Sequence, residues 1–277
     1  MKDYFGYEGK TVVITGAASG MGAAATEMLL DLGAKVYAFD LSPVKMPVEK
    51  SFCVDLNDKK SIDDALSELP DSIDALFSCA GLPGVIYKGR TFDPVDVMMV
   101  NYAAPRYLVE QIVPKMPENS AIAIIASQAG TGWKENIGAN AGILEIEGFE
   151  ELRDYLKSAP EEKCLDTTYT YPVSKECIIQ YAMARAEEFS YHKIRINVLN
   201  PGSTQTGMTD DFKNNYGAAD ALVTGIGRTA TSEEMGQPLV FLNSDMASYL
   251  SGAVMDVDYG FMAGASTFDV PIEEMDF

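Results

Sequence analysis

Tyr171 and Lys175, four residues apart, are the side chains in this sequence best suited to moving a proton. On a helix that spacing puts both on one face, a turn apart. A neighbouring ammonium favours phenolate and lowers an intrinsic pKa of about 10, so the pair could work as a general acid or base. The same spacing is common on amphipathic helices, so the pair acquires chemical meaning only if other elements bring it a reaction partner.

Other site chemistries find little support. The one histidine, His192, sits in a polar Tyr-His-Lys stretch. A Ser-His-Asp hydrolase would have to use it, and a metal would need more ligands than one His and scattered carboxylates provide. Cysteines 53, 79, 164 and 177 form no C-x-x-C pair, which argues against a zinc site and a disulfide framework. No metal is expected, and Cys79 reads as a small packing residue because nothing marks it as activated. A net charge of −20 argues against nucleic acid and anionic membrane surfaces as partners. No apolar run approaches the roughly 20 residues that cross a bilayer, and the first residues lack a signal-peptide core. A soluble, cytoplasmic protein is expected.

The elements that could supply the reaction partner begin near the N-terminus. Residues 11–15, Thr-Val-Val-Ile-Thr, read as a buried strand, followed by Gly16-Ala17-Ala18-Ser19-Gly20-Met21-Gly22. A helical pattern over 23–32 then stops at Gly33. Strand, Gly-rich turn and helix together make a dinucleotide phosphate site. The glycines permit close backbone approach, and the helix N-terminus attracts the pyrophosphate. The next strand, 35–39, ends in Asp40, about 20 residues past the glycines. An acidic residue there can bind ribose hydroxyls and repel a 2′-phosphate, and neither Leu41 nor Ser42 is basic. NAD is expected over NADP.

The strand–helix alternation continues. A strand over 51–54 runs into Asp55-Leu56, with a helix at about 57–69. Residues 73–78 form a fourth strand closed by Cys79-Ala80-Gly81, and a long helix over 93–115 carries Asn101. A strand over 121–126 ends at Ser127; residues 170–191 are helical and carry Tyr171 and Lys175. A strand over 194–199 ends in Asn200-Pro201-Gly202, a helix over 231–243 is capped by Ser232, and 253–257 is the last strand. This rhythm predicts an α/β fold: one domain over 1–277 with a doubly wound parallel sheet of Rossmann type and helices on both faces. Ligands belong at the carboxyl ends of its strands. Residues 133–166 interrupt the rhythm as an insertion, with a helix over 145–157 and a looser part around Gly138, Asn140 and Gly142. Residues 203–227 read as a loop over the site and 261–277 as a tail.

Thr15-Gly16-x-x-x-Gly20-x-Gly22, Asp55-Leu56, Cys79-Ala80-Gly81, Asn101, Ser127, Tyr171-x-x-x-Lys175 and Pro201-Gly202 occur in the order and sheet positions of the short-chain dehydrogenase/reductase family. The chain resembles that family over essentially its whole length. Within it, the Cys-Ala-Gly, the Val-Asn-Tyr at 100–102 and the 44 positions from Ser127 to Tyr171 resemble bacterial 3α-hydroxysteroid dehydrogenase/carbonyl reductases.

The resemblance implies an NAD-dependent enzyme that interconverts a secondary alcohol and a ketone. It makes Tyr171 the general acid or base and gives Lys175 the nicotinamide ribose and the lowering of the Tyr171 pKa. Ser127 would position the substrate oxygen, and Asn101 would support a proton relay behind Lys175. Hydride transfer builds negative charge on a carbonyl oxygen, and Ser127 and Tyr171 would sit where it develops. Cofactor contacts are implied for Gly16, Ser19, Gly20, Met21 and Gly22 in the turn, and for Asp40 and Leu41 after the second strand. Asp55 and Leu56, Cys79, Ala80 and Gly81 continue the set. Asn101, Tyr171 and Lys175, then Pro201, Gly202, Thr204 and Thr206, complete it. Substrate contacts are implied for Ser127 and Tyr171, and this chain's own insertion and the loop after Gly202 offer Trp133, Met208 and Phe212 as further ones.

An apolar wall of Trp133, Ile137, Ile143, Leu144, Met208 and Phe212 would suit a flat hydrophobic alcohol such as a hydroxysteroid or bile acid. The alternatives are that these side chains only pack the insertion onto the body, or that the substrate is a sugar, an acyl ketone or a small alcohol. A non-catalytic dinucleotide sensor is a further alternative, against which the presence of both Tyr171 and Lys175 speaks. The family also implies a homo-oligomer, with a dimer favoured over a tetramer because the insertion lies beside a subunit-contact helix.

Overall fold

Short β-branched and aliphatic runs, buried on both faces, build the sheet. Strand β1 (Thr11–Thr15) is buried at four of its five positions, and β4 (Ala75–Ser78) and β7 (Ala121–Ile125) at all of theirs. Such continuous burial is the mark of a parallel sheet covered on both sides. In this computed structural model, which describes residues 3–84, 86–87, 90–158, 169–205 and 227–268, these strands join β2 (Lys35–Asp40), β3 (Lys50–Cys53), β8 (Arg195–Pro201) and β9 (Val254–Val257). The seven are parallel in the order β3-β2-β1-β4-β7-β8-β9. The order reverses between β1 and β4. At such a switch point a crevice opens outside the carboxyl ends of the strands.

Two cores flank the sheet. On one face, helices α1 (Gly20–Asp31) and α8 (Ser232–Asn243) pack Leu29, Met235 and Leu239 over Val12, Ile14 and Phe77. The other face carries α2 (Lys59–Ser67), α4 (Ala104–Ile112), α6 (Phe149–Ser158) and α7 (Thr170–Ser190), joined through Ile62, Leu108, Leu152 and Ile178. A last helix, α9 (Phe261–Phe268), lies within the segment expected to be a tail.

Several local expectations change. The helix expected over 93–115 is divided: α3 (Pro94–Met98) passes into a π turn at Met99–Ala103 before α4 begins. Pro105 explains the break, because it has no N–H to give the Asn101 carbonyl one α-helical turn earlier. A 3₁₀ segment, Gln128–Trp133, leads into the insertion, whose looser part is instead a helix, α5 (Ile137–Leu144). Its glycines are overridden by tertiary bonds from Asn140, described below. The cap of α8 is Thr231 rather than Ser232. Thr231 Oγ1 accepts from Glu234 N–H at 3.3 Å while the Glu234 carboxylate accepts from Thr231 N–H at 2.9 Å. The sequence reading also missed a short antiparallel hairpin, β5 (Ile86–Tyr87) with β6 (Arg90–Thr91). Thr206, Met208, Phe212, most of 203–227, residues 159–168 and the end of the tail lie outside the described residues.

Candidate functional site

Beyond β1 the chain folds into a tight turn held mainly by main chain. Gly16 has φ +71°, and a Cβ there would stand 2.8 Å from the Ala80 nitrogen. At Gly22 a Cβ would stand 2.2 Å from the Gly16 carbonyl oxygen, so only glycine lets α1 start this close to the turn. Thr15 Oγ1 accepts from the N–H groups of Cys79 and Ala80 at 3.0 and 3.1 Å, which ties the end of β1 to the end of β4. Ser19 makes no side-chain cap bond, and the first turn of α1 holds no acidic residue. The N-terminal amides therefore keep the partial positive charge that a pyrophosphate would meet.

Asp40 closes this region at the end of β2. Its Oδ2 accepts from Ala18 N–H at 2.9 Å and its Oδ1 from Ser42 N–H at 2.7 Å, so the carboxylate is fixed at the mouth of the turn. Leu41 beside it is exposed, Asp55 is exposed after β3, and the Leu56 side chain is buried in the larger core. The glycine-rich cradle and a fixed carboxylate one strand away fit a dinucleotide. Cys79 is half-buried at the β4 end, and desolvation pushes its thiol well above the usual range. That environment agrees with a packing role.

At the other end of the crevice four polar side chains converge from three elements: the end of β7, the π turn and α7. Ser127 stands just past β7 in extended conformation, its Oγ accepting from Ala129 N–H at 3.2 Å. The Ser127 hydroxyl also hydrogen-bonds the Tyr171 phenol at the start of α7. Burial raises the Tyr171 pKa, and the bond from Ser127 pulls it back down. One turn on, Lys175 is only 4% exposed, and its Nζ lies 5.6 Å from the centre of the Tyr171 ring and 3.4 Å from the Ile125 carbonyl oxygen. Burial lowers the Lys175 pKa to about 8.

Asn101 occupies the π turn and acts as a strut. Its Oδ1 accepts from Leu82 N–H at 2.7 Å, and its Nδ2 donates to Leu82 O at 2.9 Å and to Ser174 Oγ at 3.1 Å. The loop after β4 is thereby held against α7. A Cβ on Gly81 would stand 3.2 Å from Asn101 Oδ1 and 3.4 Å from Lys175 Nζ, so both groups face that small residue. Pro201, Gly202 and Thr204 follow β8, where Thr204 Oγ1 donates to the Gly202 carbonyl at 2.9 Å.

The insertion does less for the crevice than its sequence implied. Ile143 is buried in the larger core, Leu144 and Trp133 pack against that core, and Ile137 is 53% exposed. What fastens it is polar, and the sequence reading did not single it out. Glu176, next to Lys175 and 5% exposed, accepts from Asn136 Nδ2 at 2.7 Å and Asn140 Nδ2 at 2.9 Å. Asn140 Nδ2 also donates to Gln180 Oε1 at 3.2 Å. Further along, Arg106 of α4 donates to Glu110 at 2.8 Å and reaches the carbonyls of Ile146 and Glu147. The one available sequence signal was a glutamate directly after the lysine on an otherwise apolar stretch of α7.

With this geometry in place, the chain matches two family profiles, "short chain dehydrogenase" over residues 10–141 and "Enoyl-(Acyl carrier protein) reductase" over 155–262. The chain belongs to the short-chain dehydrogenase/reductase family. It is 29% identical to a coniferyl-alcohol dehydrogenase of Pseudomonas sp. strain HR199, covering 94% of this chain and 98% of that one. It is 28% identical to the 3-alpha-hydroxysteroid dehydrogenase/carbonyl reductase of Comamonas testosteroni, covering 91% and 96%. In fold it matches the 3-alpha-hydroxysteroid dehydrogenase from Pseudomonas sp. B-0831, solved with NADH, at a TM-score of 0.76 and 23% identity over 94% of this chain and all of that one. The protein is thus an oxidoreductase with the family's NAD(P)-binding fold. No helix among the described residues is long and apolar enough to cross a membrane, and no cluster among them could hold a metal ion.

Proposed function

We propose that this protein is an NAD-dependent alcohol dehydrogenase, one catalytic domain in which Tyr171 exchanges the proton of a hydrophobic alcohol. The observation that carries this reading is the bond from the Ser127 hydroxyl to the Tyr171 phenol, with the Lys175 ammonium beside the ring. When bound, the dinucleotide supplies the hydride acceptor. Ser127 holds the substrate oxygen, and Tyr171 takes its proton during oxidation or returns it during reduction. With a pKa near 8, Lys175 is largely charged at neutral pH and favours the phenolate. Asn101 keeps the loop after β4 and the Lys175 turn in register and supports the relay that returns the proton to water.

Asp40 supports NAD over NADP, since its fixed carboxylate would oppose a 2′-phosphate and Leu41 offers no cation. A hydroxysteroid or bile acid is the first substrate reading, supported by the 28% likeness to a hydroxysteroid dehydrogenase over most of both chains. A second reading, an aryl allylic alcohol, is supported by the 29% likeness to a coniferyl-alcohol dehydrogenase. The same proposal includes a cytoplasmic homodimer, because α5 and α6 cover the side of α4 and α7 that a larger assembly would use.

The test is NAD reduction by the purified chain over hydroxysteroids, bile acids, coniferyl alcohol, sugars and simple alcohols, with NADP in parallel and light scattering for the assembly. Turnover of a flat hydrophobic alcohol with NAD is expected. Turnover confined to sugars, or preference for NADP, would overturn the corresponding part.

A further inference from the structure

Gln128 directly follows Ser127, and its Nε2 donates to Asp258 Oδ2 at 2.7 Å. Asp258 directly follows β9, 130 positions away in sequence. Its carboxylate accepts two more bonds, from Gly260 N–H to Oδ1 at 2.9 Å and from Met262 N–H to Oδ2 at 2.8 Å, and so holds the first turn of α9. Three donors suit an ionised carboxylate, which only accepts. On another side Asp258 abuts Gly202, where a Cβ would stand 2.9 Å from the Asp258 Cα. One residue therefore gathers the ends of three adjacent strands: β7 through Gln128, β8 through Gly202, and its own β9.

We infer that Asp258 is a positioning residue: through Gln128 it fixes the turn that aims Ser127 at Tyr171, and it makes that aim depend on the docking of α9. The inference rests on the reading of Ser127 and Tyr171 proposed above. Ser127 is the residue from which the Gln128–Trp133 turn departs, and its hydroxyl already accepts from Ala129 inside that turn. The direction of the hydroxyl thus follows the seating of the turn. On the α7 side the turn is seated by close packing, since a Cβ on Gly130 would stand 2.9 Å from Ile179 Cδ1 and from the Lys175 carbonyl carbon. On the open side, Gln128 to Asp258 is a directional bond that an apolar contact could not replace. A displacement of an ångström at a reacting group is enough to cost catalysis heavily.

The test uses the full chain, with NAD and the alcohol that turns over fastest in the screen above. Gln128→Glu sets a second carboxylate against Asp258. It is expected to raise amide exchange at Gly260 and Met262 about tenfold and to lower kcat about tenfold, with KM for NAD within about twofold. Gln128→Glu combined with Asp258→Asn restores the link between the turn and position 258 with donor and acceptor exchanged, and should return kcat to within about threefold of wild type. Exchange at Met262 should stay raised, because the introduced amide NH₂ that faces the new carboxylate meets the Met262 N–H donor to donor. Gln128→Leu removes the bond without repulsion and should give a kcat loss of about threefold, which guards against misfolding of the charged variant. Wild-type exchange at Met262 or wild-type kcat in Gln128→Glu, or no recovery of kcat in the double variant, overturns the inference. Tyr171→Phe separates the two readings. If it retains turnover, the acid–base assignment fails, whereas amide exchange still decides whether Asp258 links the turn to α9.

Discussion

Around β1 and β2 the crevice is shaped by main chain, and around β7 and α7 it is shaped by side chains drawn from distant parts of the sequence. In the first region the decisive contacts are Gly16 against Ala80, Gly22 against the Gly16 carbonyl, and Asp40 on two backbone amides. In the second, Ser127, Tyr171, Lys175 and Asn101 come from three elements, and their neighbours Glu176, Asn136, Asn140, Gln128 and Asp258 are joined by side-chain bonds. A main-chain site tolerates almost any solvent-facing change but no added Cβ. A side-chain site depends on each polar partner finding another, because a buried donor or acceptor left unpaired costs about 1–3 kcal/mol.

The sharpest way to separate the regions is Tyr171→Phe. The phenol belongs wholly to the side-chain region, so its loss should lower turnover about 10³-fold while NADH affinity, set around β1, stays within about twofold. Turnover by stopped-flow absorbance and affinity by fluorescence titration check the two halves. A parallel loss of affinity would show that the two regions are not independent.

The next effect is on stability. The buried Lys175 has a folded pKa of about 8 against an ordinary 10.5, so the unfolded chain binds its proton more tightly. Stability from this source is therefore lost as pH falls through about 8, and it grows as pH rises from 8 towards 10.5. Over the whole interval it amounts to about 3 kcal/mol. Urea unfolding without dinucleotide from pH 7 to 9.5 should show wild type gaining on Lys175→Met above pH 8 and running parallel to it below. That window stays beneath the titration of Tyr171, whose raised pKa acts in the opposite sense.

The same contrast explains what was legible in the sequence. The turn at 16–22, the carboxylate at Asp40 and the strand ends at Cys79, Ser127 and Gly202 could be read because each depends on residues within a few positions. Glycine, a β-branched run and an acidic strand end carry their geometry locally. The break at 99–103 was also local, since Pro105 announces it, but the apolar period of the helix hid it. The fastening of the insertion was not legible. Asn136 and Asn140 in a glycine-containing stretch read as loop, and only the fold brings them to Glu176, some 40 positions on. Gln128 with Asp258 is the same case over a longer span. The apolar residues Ile143 and Leu144, read as a substrate wall, proved to be the packing that the polar fastening seals.

Glu176→Gln tests the fastening directly. A carboxylate accepts from both asparagine amides, whereas a glutamine offers one acceptor oxygen and an NH₂ that would face Asn136 or Asn140 donor to donor. A loss of about 2 kcal/mol in urea unfolding is expected, with NADH affinity unchanged. Amide exchange should rise first in α5, because that helix has glycines at 138 and 142 and leans on these bonds. Equal loss in α1 would mean that the insertion is not a separately fastened unit.

The smallest expected effect lies in the main-chain region and asks how far a single side chain matters there. Asp40→Ala removes the carboxylate that accepts from Ala18 and Ser42, but the glycines that shape the turn remain. The turn should keep its form, and the change should be electrostatic. Without the carboxylate, the repulsion of a 2′-phosphate disappears, while NAD loses the acceptor proposed for its ribose hydroxyls. Discrimination between NAD and NADP should therefore fall about tenfold, measured as the ratio of the two kcat/KM values, with kcat for NAD little changed. A large fall in kcat would mean that Asp40 also holds the turn in the shape catalysis needs. The β1–β2 region would then depend on a side chain in the way the β7–α7 region does.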